Sequence, residues 1–189
     1  MRLIMMGPPG AGKGTQADIV CASMSILHIS TGDIFRTNVT QGTALGIEAK
    51  RYMDAGEYVP DGVTNAMVRD RLAQADCATG FLLDGYPRTI EQVGELNSML
   101  AAQGAGIDAV VELTVDIDEV VQRLVKRAAD QGRADDTEEV IRRRLEVYAE
   151  QTAPLTSLYA SRGLLTQVSG MGDVADVTAR INAVLNSNA

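Results

Sequence analysis

The chain of 189 residues has little cysteine and no long apolar run. Its two cysteines, Cys21 and Cys77, lie far apart and lack CxxC spacing, so neither a disulfide framework nor a structural zinc site is expected. We expect both to be buried thiols in a reducing cytoplasm. The apolar stretch 3–6 is too short for a signal peptide, and no segment approaches the roughly 18 apolar residues of a membrane span. The sequence therefore predicts a cytoplasmic protein without a membrane partner.

Positive charge is also scarce, with 17 lysine and arginine residues against 25 acidic ones and a net charge of −8. Non-specific binding to nucleic acid usually needs a basic face, so no nucleic-acid partner is expected. The cations are unevenly chosen, because fourteen are arginine and three are lysine. Two interpretations remain open: most arginines lie on solvated faces, or several act as bidentate forks for phosphate.

Apolar periodicity predicts an α/β fold in a single domain. Buried strands alternate with helical patterns, which favours a five-stranded parallel sheet flanked by helices. A helical insertion without a strong strand pattern is expected at 31–76, between the second and third strands. The predicted strands are 3–6, 26–29, 81–83, 107–115 and 163–169, and the helices that follow them are 16–24, 89–102, 117–129, 137–160 and 173–186.

A glycine-rich loop, GPPGAGKGT, follows the first predicted strand and precedes a helix. Gly7, Gly12 and Lys13 satisfy G-x-x-x-x-G-K, although Gly14 separates the lysine from Thr15, which departs by one position from the strict pattern. Glycines let successive N–H groups point into a concave nest, the helix N-terminus adds positive charge, and the lysine supplies a mobile cation. The two prolines have no N–H and leave donation to residues 10–15. The loop predicts a site for nucleotide phosphates.

Asp84 ends the apolar strand in GFLLDGYPR. A P-loop protein places at such a strand end the carboxylate that helps to hold Mg²⁺, usually through water. A single Asp after a strand is also a common turn residue, so this assignment depends on the glycine-rich loop.

Four stretches of this chain, GPPGAGKGT, ISTGDIFR, DGYPRTIEQ and GRADDTEEVIRRRLEVYAEQTAPL, occur in order. Together they resemble the P-loop nucleoside monophosphate kinases, and in particular the adenylate kinase family, over residues 1 to about 172. The resemblance implies reversible transfer of the terminal phosphate of ATP·Mg²⁺ to AMP, giving two ADP, for nucleotide homeostasis and AMP salvage. It also implies an AMP-binding insertion at 30–59 and a lid at 126–136.

The resemblance further implies which residues contact ATP and the transferred group. Lys13 would follow the transferred phosphate, Arg123 would lie near the ATP base, and backbone at 170–172 would close over the adenine. The implied catalytic residues are Lys13, Arg88, Arg127, Arg133 and Arg144. The implied ATP-binding residues are Gly10, Ala11, Gly12, Lys13, Gly14, Thr15, Arg123, Arg127 and Gly172.

For AMP, the resemblance implies that Arg36 meets the phosphate and Thr31 the adenine. Gln92 would bind the adenine edge, which suits an amide because it offers a donor beside an acceptor. The implied AMP-binding residues are Thr31, Arg36, Glu57, Tyr58, Val59, Gly85, Tyr86, Pro87, Arg88, Gln92, Arg133 and Arg144.

This chain departs from many bacterial family members in its lid. Only AADQG lies between Arg127 and Arg133, where those members carry an insertion of roughly thirty residues, often with four zinc-binding cysteines. The lid is therefore expected to be a short loop without zinc. Gly172 stands where other members often have lysine, so a backbone carbonyl would have to serve there.

Several assignments stay open. Asp33 could position Mg²⁺-bound water or Arg36, or cap the following helix, and Asp135 and Asp136 could anchor the lid or orient arginines. His28 is expected to pack beside its strand and receives no role. A monomer is the default. A UMP/CMP kinase is disfavoured by Thr31 and Gln92, and a nucleotide-dependent switch by the absence of the N-K-x-D motif.

Overall fold

The computed structural model describes residues 1–116, 119–124 and 137–187. Within them, five strands form one parallel sheet in the order β2-β3-β1-β4-β5. The predicted five-stranded parallel sheet with flanking helices is confirmed. The strands are β1 Arg2–Met6, β2 Leu27–Ser30, β3 Phe81–Asp84, β4 Ala109–Thr114 and β5 Leu165–Ser169.

The helices lie between the strands, and their starts carry recognisable caps. Ser30, Thr43, Thr89 and Thr137 each accept a hydrogen bond from the backbone N–H three residues on, which satisfies a donor that the helix leaves unpaired. The helices are α1 Lys13–Met24, α2 Thr31–Gln41, α3 Ala44–Asp54, α4 Asp61–Leu72, α5 Ile90–Ala101, α6 Glu138–Val147, α7 Pro154–Ser161 and α8 Val174–Ser187, with further helical residues at 119–124 and a 3₁₀ turn at Ala75–Thr79.

Both faces of the sheet are apolar because helices cover both, as parallel sheets require. Side chains alternate along β1, so Leu3 and Met5 point to one face while Ile4 and Met6 point to the other. The first face packs on α1 and α8, and the second packs on α4, α5 and α7. Two apolar layers thus hold the carboxyl ends of the strands in fixed register.

Two predicted helices differ from the structure by more than two residues, while the predicted strands lie within two residues of the observed ones. The helix expected at 137–160 is divided by a π-helical turn at Tyr148–Thr152, after which Pro154 starts α7, because proline cannot donate the N–H that would continue the helix. The first helix begins at Lys13 and not at residue 16, directly after Gly12. Among the helices at 1–116, 119–124 and 137–187, none is long and apolar enough to cross a membrane.

The stretch between β2 and β3 departs from the strand–helix alternation, as expected. It contains α2, α3, α4 and the 3₁₀ turn, and α2 packs closely on α3. Phe35, Ala49 and Val59 form a small apolar cluster of its own there. The predicted lid at 126–136, with Arg127, Arg133, Asp135 and Asp136, lies outside the described residues.

Candidate active site

The carboxyl ends of three neighbouring strands lie side by side. Met5 of β1 pairs with Asp84 of β3, and Asp84 pairs with Ser30 of β2. The central strand β1 has β3 on one side and β4 on the other. From β1 the chain continues to β2 on the β3 side of the sheet, whereas from β3 it crosses β1 to reach β4, so the two connections run in opposite directions. Open parallel sheets bind ligands in the crevice at such a switch point.

The glycine-rich loop fills that crevice and packs against the helical residues 119–124. A Cβ at Gly10, whose φ is +84°, would lie 2.9 Å from Leu124 Cγ, so the close approach and the positive φ both require glycine. Gly12, at φ +87°, precedes α1 directly. The first N–H groups of α1 therefore face the crevice as anion donors. The N–H of Ala11, one of the donors expected from 10–15, is bonded within the loop to Pro8 O at 3.2 Å.

Lys13 folds back along its own loop. Its Nζ donates to Gly7 O at 2.8 Å and to Pro8 O at 2.9 Å, which holds the ammonium over the loop. Around it lies a cavity of about 360 Å³, here called the phosphate cavity. Its lining is Pro9, Gly10, Gly12, Lys13, Gly14, Thr15, Asp18, His28, Ser30, Gly32, Asp33, Arg36, Asp84, Gly85, Arg88, Arg123, Leu124 and Arg144.

Asp84 presents a carboxylate to this cavity from the end of β3. Burial by itself would raise the pKa of Asp84, but the His28 ring and the positive charges of Lys13 and Arg88 outweigh it and lower the pKa below its usual value. The group is therefore ionised at neutral pH. Mg²⁺ typically keeps several waters and takes one or two carboxylates together with substrate phosphates, so the ionised carboxylate of Asp84 beside a phosphate cavity fits this ion.

His28 lines the same cavity, a position that the sequence analysis missed. Its Nδ1 lies 2.8 Å from Asp18 Oδ1, while its Nε2 lies 3.8 Å from Asp84 Oδ2, which is too long for a hydrogen bond. Burial would lower the pKa of His28, but the carboxylates of Asp84 and Asp18 outweigh it and raise the pKa.

A second cavity, here called the insertion cavity, opens between the insertion and β3. Its lining contains nine of the twelve residues expected to bind AMP: Thr31, Arg36, Glu57, Tyr58, Val59, Gly85, Arg88, Gln92 and Arg144. The two cavities are continuous at their shared lining residues, which are Pro9, Gly32, Arg36, Gly85, Arg88 and Arg144. Three of these are arginines, so positive charge is concentrated at the junction.

Arg88 is held at the junction by contacts of both its side chain and its carbonyl group. Its Nε donates to Gly85 O at 2.7 Å, and its guanidinium lies 4.8 Å from the centroid of the Tyr58 ring, a cation–π distance. The buried Thr152 hydroxyl donates to Arg88 O at 2.9 Å and lies 2.7 Å from Tyr58 Oη. A threonine hydroxyl has one hydrogen, so the tyrosine is the donor in the second bond. Thr152 thus ties Tyr58 to Arg88.

Gln92 is almost fully buried at the wall of the insertion cavity. Its Oε1 accepts from the N–H of Arg88 at 2.7 Å, and its Nε2 donates to Asp61 Oδ1 at 2.6 Å. The other carboxylate oxygen of Asp61 accepts from Thr89 Oγ1 at 2.7 Å. The sequence analysis did not identify Asp61.

Two other expected residues have different surroundings. Arg36 is paired with Asp33 at 2.5 Å, and Ser30 caps the helix, so of the three roles left open for Asp33 the contact is with Arg36. Tyr86 is buried in the core, where its hydroxyl donates to Asn65 Oδ1 at 2.8 Å. Tyr86 does not line the insertion cavity. Pro87 is buried beside Tyr86.

A third cavity of about 320 Å³ lies beyond the phosphate cavity, next to the end of β5. Arg123 lines both cavities and donates to Gly170 O at 3.2 Å. Gly172 lines the third cavity at φ +99°. The loop that contains both glycines is held by Arg180, which donates to Ser169 O at 2.5 Å and to Met171 O at 2.9 Å. The sequence analysis did not identify Arg180 either.

The insertion is also tied to α6. Arg143 Nε donates to Glu57 Oε1 at 2.6 Å, and the Arg143 side chain packs against Gly56. Of the three consecutive arginines on this helix, Arg144 lines the cavities and Arg142 pairs with Glu138 on the surface. Arg143 therefore connects α6 to the segment that contains Glu57, Tyr58 and Val59, three of the residues expected to bind AMP.

Comparison with known proteins agrees with this geometry. The family model described as adenylate kinase matches residues 5–164. A protein named adenylate kinase from Nocardioides sp. is 63% identical over 98% of this chain and 97% of its own length. Those from Kocuria rhizophila and Thermobifida fusca are 57% and 55% identical, covering 97% and 100% of this chain and 98% and 100% of their own lengths.

Proposed function

This chain belongs to the adenylate kinase family, and we propose that it transfers the terminal phosphoryl group of Mg²⁺-bound ATP to AMP, reversibly, to give two ADP. The observation that carries the proposal is the junction of the phosphate and insertion cavities. Lys13 lines the phosphate cavity, Gln92 lines the insertion cavity, and Arg36, Arg88 and Arg144 line both. A donor and an acceptor nucleotide placed end to end would bring their phosphates together at these arginines.

The side chains that line these cavities align the two nucleotides for the reaction. The glycine loop and Lys13 bind the ATP phosphates, and Arg36 and Arg88 bind the AMP phosphate. Phosphoryl transfer needs alignment and stabilisation of charge more than covalent chemistry, and an AMP phosphate oxygen is already a nucleophile. The proposed reaction therefore uses no protein general base. Mg²⁺, when bound with ATP, supplies charge neutralisation at the phosphates, and Asp84 is the residue that would hold it through water.

The ATP base is proposed to occupy the third cavity. Arg123 would lie beside it, and the backbone at Gly170 and Gly172 would close over it. Gly172 has no side chain to offer, so the carbonyl groups of a loop held by Arg180 would make this contact. The proposed substrates are ATP, AMP and ADP.

We further propose that residues 30–59 form the AMP-binding insertion within a single kinase domain of 1–189. Residues 126–136 would be a short lid, with Arg127 and Arg133 completing the clamp on the transferred group. Closure would exclude water, since a wet site would hydrolyse ATP. The same proposal holds that the enzyme is cytoplasmic and monomeric and that it binds no zinc.

Incubation with ADP and Mg²⁺ alone tests the function. We expect ADP to be converted to equal amounts of ATP and AMP, because only a two-nucleotide transferase makes both. A nucleotide-binding module or an ATPase would leave ADP intact, and a hydrolase that acts on ADP would release inorganic phosphate, so either outcome would contradict the proposal. Turnover with AMP, CMP and UMP as acceptors separates it from a UMP/CMP kinase.

A further inference from the structure

The Gln92 amide can point in only one direction. A backbone N–H is always a donor, so the group facing Arg88 N at 2.7 Å must be the amide oxygen. A carboxylate is an acceptor, so the group facing Asp61 Oδ1 at 2.6 Å must be the amide nitrogen. The two partners bond to opposite ends of the amide, and both require the same orientation of its oxygen and nitrogen.

Asp61 is itself held by a closed set of hydrogen bonds. Thr89 Oγ1 donates its one hydrogen to Asp61 Oδ2 at 2.7 Å and accepts from the N–H of Gln92 at 3.1 Å, as the cap of α5. Asp61 also lies in the first turn of α4, where a negative charge is favourable. The carboxylate therefore faces Gln92 as an acceptor in a fixed position.

The remaining hydrogen-bonding capacity of Gln92 has a defined polarity. Within the described residues its amide makes the two bonds above, which leaves one Nε2–H and one lone pair on Oε1. That pair matches the edge of adenine, where N1 accepts and the 6-amino group donates. It opposes hypoxanthine, in which N1–H donates and O6 accepts.

We propose that Asp61 is a specificity-determining positioning residue, because by fixing the direction of the Gln92 amide it makes the site accept an adenine edge and reject a base of opposite polarity. This inference rests on the proposed function, in which Gln92 faces the base of the acceptor nucleotide. The alternative role is a mechanical link between the starts of α4 and α5, which would affect stability without affecting base choice.

Asp61→Asn separates these roles. The asparagine has the same shape and keeps a bond to both Thr89 and Gln92, but it can present either oxygen or nitrogen to the Gln92 amide. A mechanical link therefore survives this change, whereas the Gln92 amide loses one of the two partners that fix its direction and keeps only the N–H of Arg88. Glu91→Gln is the matched control, because it removes the same charge from an exposed position in the first turn of α5.

The experiment measures kcat/KM with AMP and with inosine monophosphate, which differ only in the polarity of this edge. Wild type and Glu91→Gln should share one high AMP preference, and Asp61→Asn should lower it roughly three- to tenfold, the value of one hydrogen bond, at near-unchanged Tm. An unchanged preference in Asp61→Asn overturns the inference alone. A wild type that does not phosphorylate AMP overturns the proposed function and this inference with it.

A second variant keeps the test decisive if Asp61→Asn folds poorly. Thr89→Gly keeps an acceptable helix cap but removes the hydroxyl that holds Asp61. We expect its AMP preference to fall in the same direction by a smaller factor. A Thr89→Gly enzyme with the wild-type preference would overturn the role of this set of bonds.

Discussion

Replacement of Thr152 by valine should impair the AMP-binding part of the proposed site, although Thr152 itself is not expected to contact a substrate. Valine has nearly the shape of threonine but can neither donate to Arg88 O nor accept from Tyr58 Oη. Thr152 is only 5% exposed, so the Arg88 carbonyl loses a partner in a place that water reaches poorly. Leaving a buried polar group unpaired costs about 1–3 kcal/mol. We expect the free energy of unfolding to fall by about 1–2 kcal/mol, since the half-buried Tyr58 hydroxyl can turn towards solvent.

The kinetic effect should exceed the effect on stability. Without the hydroxyl bond the Tyr58 ring is free to move, and the Arg88 guanidinium 4.8 Å from it keeps its bond to Gly85 O but loses a fixed ring to pack on. Small misplacements at a reacting centre are costly, so we expect kcat/KM for AMP to fall roughly tenfold while KM for ATP stays unchanged. Steady-state assays in which one nucleotide is varied at saturating levels of the other would measure both.

Two controls isolate the hydroxyl. Thr152→Ser restores both bonds and should recover most of the activity. Thr156→Val removes a bond to Glu112, which lies 2.7 Å away and outside the cavities, so it should lower Tm without raising KM for AMP. The reasoning would be refuted by wild-type kinetics in Thr152→Val, or by equal losses in the serine and valine variants.

Three further predictions follow from other contacts. Lys13→Met keeps a side chain of similar length but removes the cation that lines the phosphate cavity, so it should lower kcat at least a hundredfold while circular dichroism melts stay near wild type; near-normal turnover would contradict its role. Arg143→Ala releases Glu57 from α6 and should raise KM for AMP several-fold, and an equal rise in KM for ATP would refute a local effect. Burial, helped by a nearby carboxylate, raises the pKa of Cys21 to about 11, and burial also raises that of Cys77. At pH 8 only about one Cys21 in a thousand is then a thiolate, so native protein should resist a thiol reagent that labels it rapidly in denaturant.

The fold was predictable because its signals are local. The strands β1, β3 and β4 are short buried runs, and each cap is a side chain three residues from its partner. The division of the helix at 137–160 was missed because a π-helical turn at Tyr148–Thr152 keeps nearly the same apolar spacing as an α-helix, and Pro154 was the only local sign of the break.

The supporting residues could not be found in the same way, because their partners are distant in sequence. Asp61 lies 31 positions from Gln92, and Tyr58 lies 94 positions from Thr152. Only the packing of α4 on α5, and of the insertion on the turn after α6, brings these groups together. A motif read along the chain identifies the residue that faces a cavity, but the group that orients it belongs to another segment.

Orienting groups from other positions also explain how several arginines can stay close together around the junction of the phosphate and insertion cavities. The Arg36 guanidinium has a carboxylate partner in Asp33, and Arg88 donates to Gly85 O. Arg123, which lines the phosphate cavity but not the junction, is paired with Glu119. A guanidinium carries five N–H donors in a plane, so an acceptor on one edge offsets its charge and fixes its orientation while donors on another edge can meet a phosphate. Bound nucleotide phosphates would thus meet arginines that are already oriented, and less of the binding free energy would be spent on ordering long side chains.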